Sequence, residues 1–210
     1  GPKSKLYDHC TVSAKAYAER IGADYVLLTQ PKLRIKPDPF SSNRSEGASR
    51  LGYLPIFEKE NAFEYFDKGY DQIAIIDSDI WIRDTLTTSI FDKVPPEYDF
   101  GGVLERDMPC MQYGMPGMNQ LFDWKDPRGR GADFYNMGMM VVNKGIMKYL
   151  KGQTPKQFIE RAEFRNFVDG VGNWKWSTDQ TLLNYWVKKE KMKVKNLTFH
   201  WNGLFTGIEQ

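Results

Sequence analysis

The stretch QIAIIDSDIWI, residues 72–82, constrains this chain more than any other. Ile73 to Ile76 form an unbroken apolar run of strand length, the pattern of a parallel strand covered on both faces. The run stops at Asp77, Ser78 and Asp79 and then turns apolar again. Side chains two apart on a strand point the same way, so both carboxylates can converge on one point. At about 5 Å and an effective dielectric near 20 they repel by roughly 3 kcal/mol. A divalent cation reverses the sign of that energy, and hard oxygen ligands suit Mn²⁺ or Mg²⁺. The plain alternative is a solvated turn at a strand end.

Composition narrows the field. A chain of 210 residues, 41% hydrophobic and 14% aromatic, can bury a core, and is expected to form one domain over residues 1–210. A net charge of +2 is no nucleic-acid footprint. Cys10 and Cys110 lie a hundred residues apart in no metal or redox spacing, and read as reduced thiols of a cytoplasmic protein. No segment has the length and apolarity of a membrane span.

Helices and strands alternate along the rest. Cys10, Ala14, Tyr17 and Ile21 share one helical face, so residues 4–21 read as a helix stopped by Gly22. DYVLL (24–28) reads as a short strand, 30–50 as a loop, and 54–68 as a second helix ended by Gly69. Residues 98–105 and 133–143 read as strands, with a long Gly-, Pro- and Met-rich loop between them. Thr154-Pro155 opens a helix to about Val168, 178–190 forms another, and KVKNLTFHW a last strand. The expected fold is α/β, a mostly parallel central sheet flanked by helices.

Four segments, in order, carry a family resemblance. YDQIAIIDSDIWI, FYNMGMMVVN (134–143), STDQTLLN (177–184) and HWNG (200–203) resemble motifs of the metal-dependent nucleotide-sugar glycosyltransferases of the GT-A, Rossmann-like fold, most closely the glycogenin-like family eight. A virus-encoded member of the chlorella-virus type is one form such a chain takes. The resemblance covers about two thirds of the chain. It implies that Asp77, Asp79 and His200 hold Mn²⁺ (or Mg²⁺), and that the metal holds the diphosphate of a UDP-sugar. It also places Ser78, Asn136, Gly138, Gly203 and, more loosely, Lys59 at the donor. Asp179 and Gln180 would act at the sugar ring, transferring a hexose to a hydroxyl acceptor with retention.

Several of these roles have a plainer counterpart. Ser177 and Gln180 also spell a capping box, which accounts for Gln180 without chemistry. A lone His at a strand end is often only a hydrogen-bonder. Asp-x-Asp after an apolar strand also occurs in haloacid-dehalogenase-type phosphatases, though Trp81 stands where they want Thr or Val. A non-catalytic nucleotide-sugar or glycan-binding module is the remaining alternative. The sequence departs from family eight twice. It opens on a helix where the family has a strand, and Leu204 to Gly207 replace a Lys-Pro-Trp that supplies a phosphate-binding lysine, a role left to Lys59 or Arg50.

Overall fold

A computed structural model describes residues 5–40, 42, 50–105, 133–171 and 178–203. Among these residues four strands form one sheet: β1 (Gln72–Ile76), β2 (Phe100–Leu104), β3 (Tyr135–Asn143) and β4 (Val194–Leu197). Their order is β1-β3-β2-β4. β3 runs antiparallel to both neighbours, whereas β2 and β4 are parallel. The sheet is therefore mixed, which corrects the expected mostly parallel sheet. β1, β2 and β4 share one direction and β3 is inserted against them. An apolar run reports cover on both faces and says nothing about the direction of the strand beside it.

Alternation along β3 builds two apolar layers. Met140 and Val142 join Phe57, Phe63, Phe158 and Trp186 on one side. Met139 and Val141 join Tyr17, Ile90 and Val94 on the other. The first layer is covered by a 3₁₀-type helix, Pro55–Lys68, and by α2 (Met147–Leu150), α3 (Pro155–Ile159), α4 (Arg165–Asp169) and α5 (Asp179–Lys189). The second is covered by α1 (Lys5–Arg20), with Cys10 and Tyr17 buried as its periodicity predicts.

The terminators behave as read. Gly22 and Gly69 take positive φ of 68° and 97° just past their helices, where a Cβ is disfavoured. Thr154 caps α3 with Gln157 as partner. That helix does not continue to Val168. Arg161 breaks it with extended backbone, because its guanidinium is held by Gln153 and by the carbonyls of Tyr149 and Leu150. Residues 24–28 form no strand, and Val26, Leu27 and Leu28 are exposed. In the described residues β3 is the one strand paired with β1, so this apolar run stays outside the sheet.

Between Gly102 and Val103 the register with β3 jumps, from Met140 to Asn136. Residues 137–139 thus face no β2 partner, although Asp77 N still donates to Gly138 O on the β1 side at 2.7 Å. A bulge of this kind bends a strand and re-aims its side chains. It lies toward the carboxyl ends of β1 and β2, the side on which open α/β sheets bind ligands.

Candidate functional site

Asp77 follows β1, and Glu105 follows β2. Asn202 lies in the turn after β4, beyond a short 3₁₀ turn at Phe199–Trp201. β3 enters the same edge of the sheet with Tyr135 to Gly138, and α5 begins there at Asp179. Residues far apart in sequence thus meet at one end of the sheet.

The centre is Lys59, on the Pro55–Lys68 helix. Its Nζ lies 2.7 Å from Asp179 Oδ2 and 3.1 Å from Asp77 Oδ1, and donates to Met137 O at 3.0 Å. Burial disfavours the Lys59 charge, but Asp179, Asp77 and Glu60 outweigh it and hold the ammonium protonated. Burial pushes the Asp77 carboxyl up, Lys59 pulls it back, and Asp79 raises it further. Burial likewise pushes Asp179 up against the pull of Lys59. Glu60 is wholly buried, and neither oxygen has a hydrogen-bond partner among the described residues. Burial, reinforced by Asp179, raises its pKa well above the carboxylate range. The Lys59 ammonium thus faces the carboxyl groups of Asp77 and Asp179, with Asp79 nearby.

A second network adjoins the first. Asn136 Oδ1 accepts from Gly138 N at 2.9 Å and from Asn202 Nδ2 at 2.6 Å. Asn136 Nδ2 donates to Glu105 Oε1 at 3.2 Å, and Gln180 Nε2 donates to the same oxygen at 2.6 Å. Gln180 Oε1 accepts from Met137 N at 3.0 Å, so both ends of its amide are committed. Asn184, one turn on, pins α5 to both main-chain groups of Tyr135. Burial raises the Glu105 pKa, and its Gln180 and Asn136 hydrogen bonds oppose the shift.

Gly138 explains why these groups can crowd together. A Cβ there would lie 3.0 Å from Asn136 Oδ1, 3.4 Å from Asn202 Nδ2 and 3.5 Å from Asp77 Oδ2. The glycine is required by close approach, since its φ is not positive.

The structure thus brings Lys59, Asp77, Asn136, Gly138, Asp179 and Gln180 together. Ser78 and Asp79 sit in the exposed turn that follows, closed by Ile80 N to Asp77 O. His200 is exposed and stacked on Phe199 at 4.0 Å between centroids, and Gly203 is exposed beyond it. Among the described residues no three His, Cys, Asp or Glu side chains converge in an arrangement that could hold a metal ion. A hard cation can also be held by one or two carboxylates with ligand oxygens completing its shell, a mode for which Asp77 and Asp79 would supply the carboxylates.

The cap of α5 is a correction. Thr178 is the N-cap, and its N–H donates to Thr181 Oγ1. Gln180 is therefore at N2, outside any capping box, while Ser177 lies outside the described residues. Cys110, Tyr113, Trp174, Trp176, the segment 106–132 and Leu204 to Gly207 also lie outside them. Sequence reasoning missed Glu60, Glu105 and Asn202. Glu105 has a usable signal, an acid ending the apolar strand FGGVL. Asn202 has one too, its place inside the HWNG segment. Glu60 has none, being one of many acids on a charged helix.

No family model and no curated protein matches the chain. Among solved structures it is similar to apo mouse xyloside xylosyltransferase 1, at 17% identity and a TM-score of 0.44. The match covers 93% of this chain and 61% of that one, so the chain spans less than two thirds of that structure.

Proposed function

We propose that the chain is a metal-dependent glycosyltransferase of the GT-A type, moving a hexose from a UDP-sugar to a hydroxyl acceptor with retention. One observation supports this above others. Three of the four resembling segments, separated by up to a hundred residues, supply side chains to a single polar site, and the fourth supplies Asn202.

In this reading Asp77 and Asp79 hold the Mn²⁺ or Mg²⁺ with the donor diphosphate, and His200 joins them once the donor is bound. The cation would act as a Lewis acid on the leaving diphosphate. Lys59 fixes Asp77 and Asp179 relative to each other and lends positive charge at the phosphate side. Gly138 leaves room for the sugar against the β3 bulge, Asn136 and Asn202 offer amide groups to its hydroxyls, and Gly203 lets main chain approach. Asp179 and Gln180 border the sugar, and the departing phosphate takes the acceptor proton. Gln180 acts from a fixed position, since Glu105 and Met137 hold both ends of its amide.

A panel of nucleotide sugars with Mn²⁺, scored by thermal shift and by hydrolysis, tests the reading. It predicts that UDP-sugars raise the melting temperature and are slowly hydrolysed. Stabilisation without turnover would indicate a binding module, and a phosphoaspartate at Asp77 a phosphatase.

A further inference from the structure

KLRIK, residues 32–36, alternates between core and surface. Leu33 and Ile35 are buried, at 3% and 0% exposed, in the core that also holds Phe57. Lys32, Arg34 and Lys36 are exposed between and beside them. Leu54 N donates to Ile35 O at 2.8 Å, which seats the segment against the start of the Pro55–Lys68 helix. Three cations thus stand on the outer face of a segment whose inner face is anchored.

The main chain of this segment already holds an oxyanion. Glu58, in the first turn of the helix, accepts through Oε2 from Lys32 N at 2.7 Å and Leu33 N at 3.0 Å, and through Oε1 from Arg34 N at 2.6 Å. Successive N–H groups converging on one anion form a nest, a concavity that binds phosphate in many loops. Arg34 holds a positive φ of 46°, a region that a Cβ disfavours. Strain of this kind collects at ligand clamps.

One carboxylate leaves charge over. Lys32 pairs with Glu64 at 3.5 Å, whereas Arg34 and Lys36 have no ion pair among the described residues, and the Arg34 guanidinium lies over the Tyr53 ring. A phosphate group brings about two negative charges and three acceptor oxygens, one for each N–H of the nest. We propose that the main-chain nest of Lys32, Leu33 and Arg34 is a binding site for a phosphate group, free or carried on a ligand, and that Glu58 fills it as a tethered competitor until the phosphate displaces it. Glu58 immediately precedes Lys59, so its release loosens the turn that holds the Lys59 ammonium against Asp77 and Asp179. The proposal does not depend on the transferase reading.

Amide NMR of the 210-residue chain tests it, with inorganic phosphate added at constant ionic strength. In Glu58→Ala the N–H signals of Lys32, Leu33 and Arg34 should move together and saturate. In the native chain they should respond with an affinity roughly tenfold or more weaker, because a tethered carboxylate competes at an effective concentration in the millimolar range or above. Glu58→Gln keeps the side-chain shape and loses the charge. It should fall between the two, and it carries the test if Glu58→Ala unfolds. Acetate should bind the variants more weakly than phosphate, and adding Arg34→Gln should narrow that difference. Phenyl phosphate binding as well as inorganic phosphate supports a phosphorylated ligand, and its exclusion supports the free ion. The proposal is overturned if the three amides do not respond in either variant, or if native and variant chains bind phosphate equally. It is also overturned if acetate binds as tightly as phosphate, or if chloride moves the same signals equally, which would mean an adventitious ion only.

Discussion

Lys59 Nζ stands 2.7 Å from Asp179 Oδ2, with the Asp179 side chain 4% exposed and that of Lys59 18%. This buried pair joins the helix before β1 to the first residue of α5. Breaking one partner of such a pair strands the other charge, at about 3–5 kcal/mol. Lys59→Met should lower unfolding free energy by that order in urea melts. The double variant with Asp179→Asn should cost less than the two single changes summed, as expected for directly coupled partners. Strict additivity would mean that the pair carries no coupling.

Glu60 predicts a pH dependence of opposite sign to the usual acid effect. Its folded pKa lies well above the ordinary carboxylate value, chiefly through burial. The folded state then holds the proton more tightly than the unfolded one. Stability falls as pH rises past the unfolded value of about 4.3, by roughly 1.4 kcal/mol per pH unit until the folded pKa is reached. Glu60→Gln keeps the shape without the proton. It should match the native chain near pH 4 and exceed it at pH 7. Equal stability at both pH values would show that Glu60 ionises freely.

Asp99 gives the ordinary sign. It is buried, which opposes its charge, but it accepts from Lys148 Nζ at 2.8 Å, Tyr149 OH at 2.9 Å and Lys193 N at 3.0 Å. These bonds outweigh the burial and lower its pKa. Its stabilisation is present above the unfolded value of about 3.9 and is lost as pH falls through the lower folded value. Asp99→Asn should cost about 1.5–3 kcal/mol at pH 7, in the range of hydrogen bonds to charged groups. The gap to the native chain should narrow below pH 4. A gap constant from pH 3 to 7 would remove charge from the explanation.

The sequence reveals the strands, most helix stops and three of the site segments, because each rests on local chemistry. Alternation in β3, Gly69 at a left-handed cap and Thr154-Pro155 before α3 are readable within a few residues. What it conceals is non-local. The direction of β3 depends on which strands it lies between. Whether 24–28 pairs depends on β1, almost fifty residues away, which pairs with β3 alone among the described residues. The helical position of Gln180 is ambiguous in sequence because Ser177 and Thr178 are both good caps, and only the folded turn chooses Thr178. Glu60 looks like any exposed helix acid, yet it is wholly buried in the folded chain.

Gly138→Ala tests the crowding at the bulge. The added methyl would press on Asn136, Asn202 and Asp77. Stability should drop by about 1–3 kcal/mol, the usual cost of overpacking. Donor affinity should fall further than stability explains, which calorimetry on the still-folded variant would measure. Unchanged nucleotide-sugar affinity would place the sugar elsewhere.

In the proposed function Asp77 and Asp79 hold a cation through which a nucleoside diphosphate binds. Calorimetric titration of UDP, with Mn²⁺ and then with EDTA, tests it most directly in the native chain, Asp77→Asn and Asp79→Asn. Binding should require Mn²⁺, vanish with EDTA and be lost in both variants while they remain folded. UDP binding that ignores EDTA, or that survives either substitution, would contradict it.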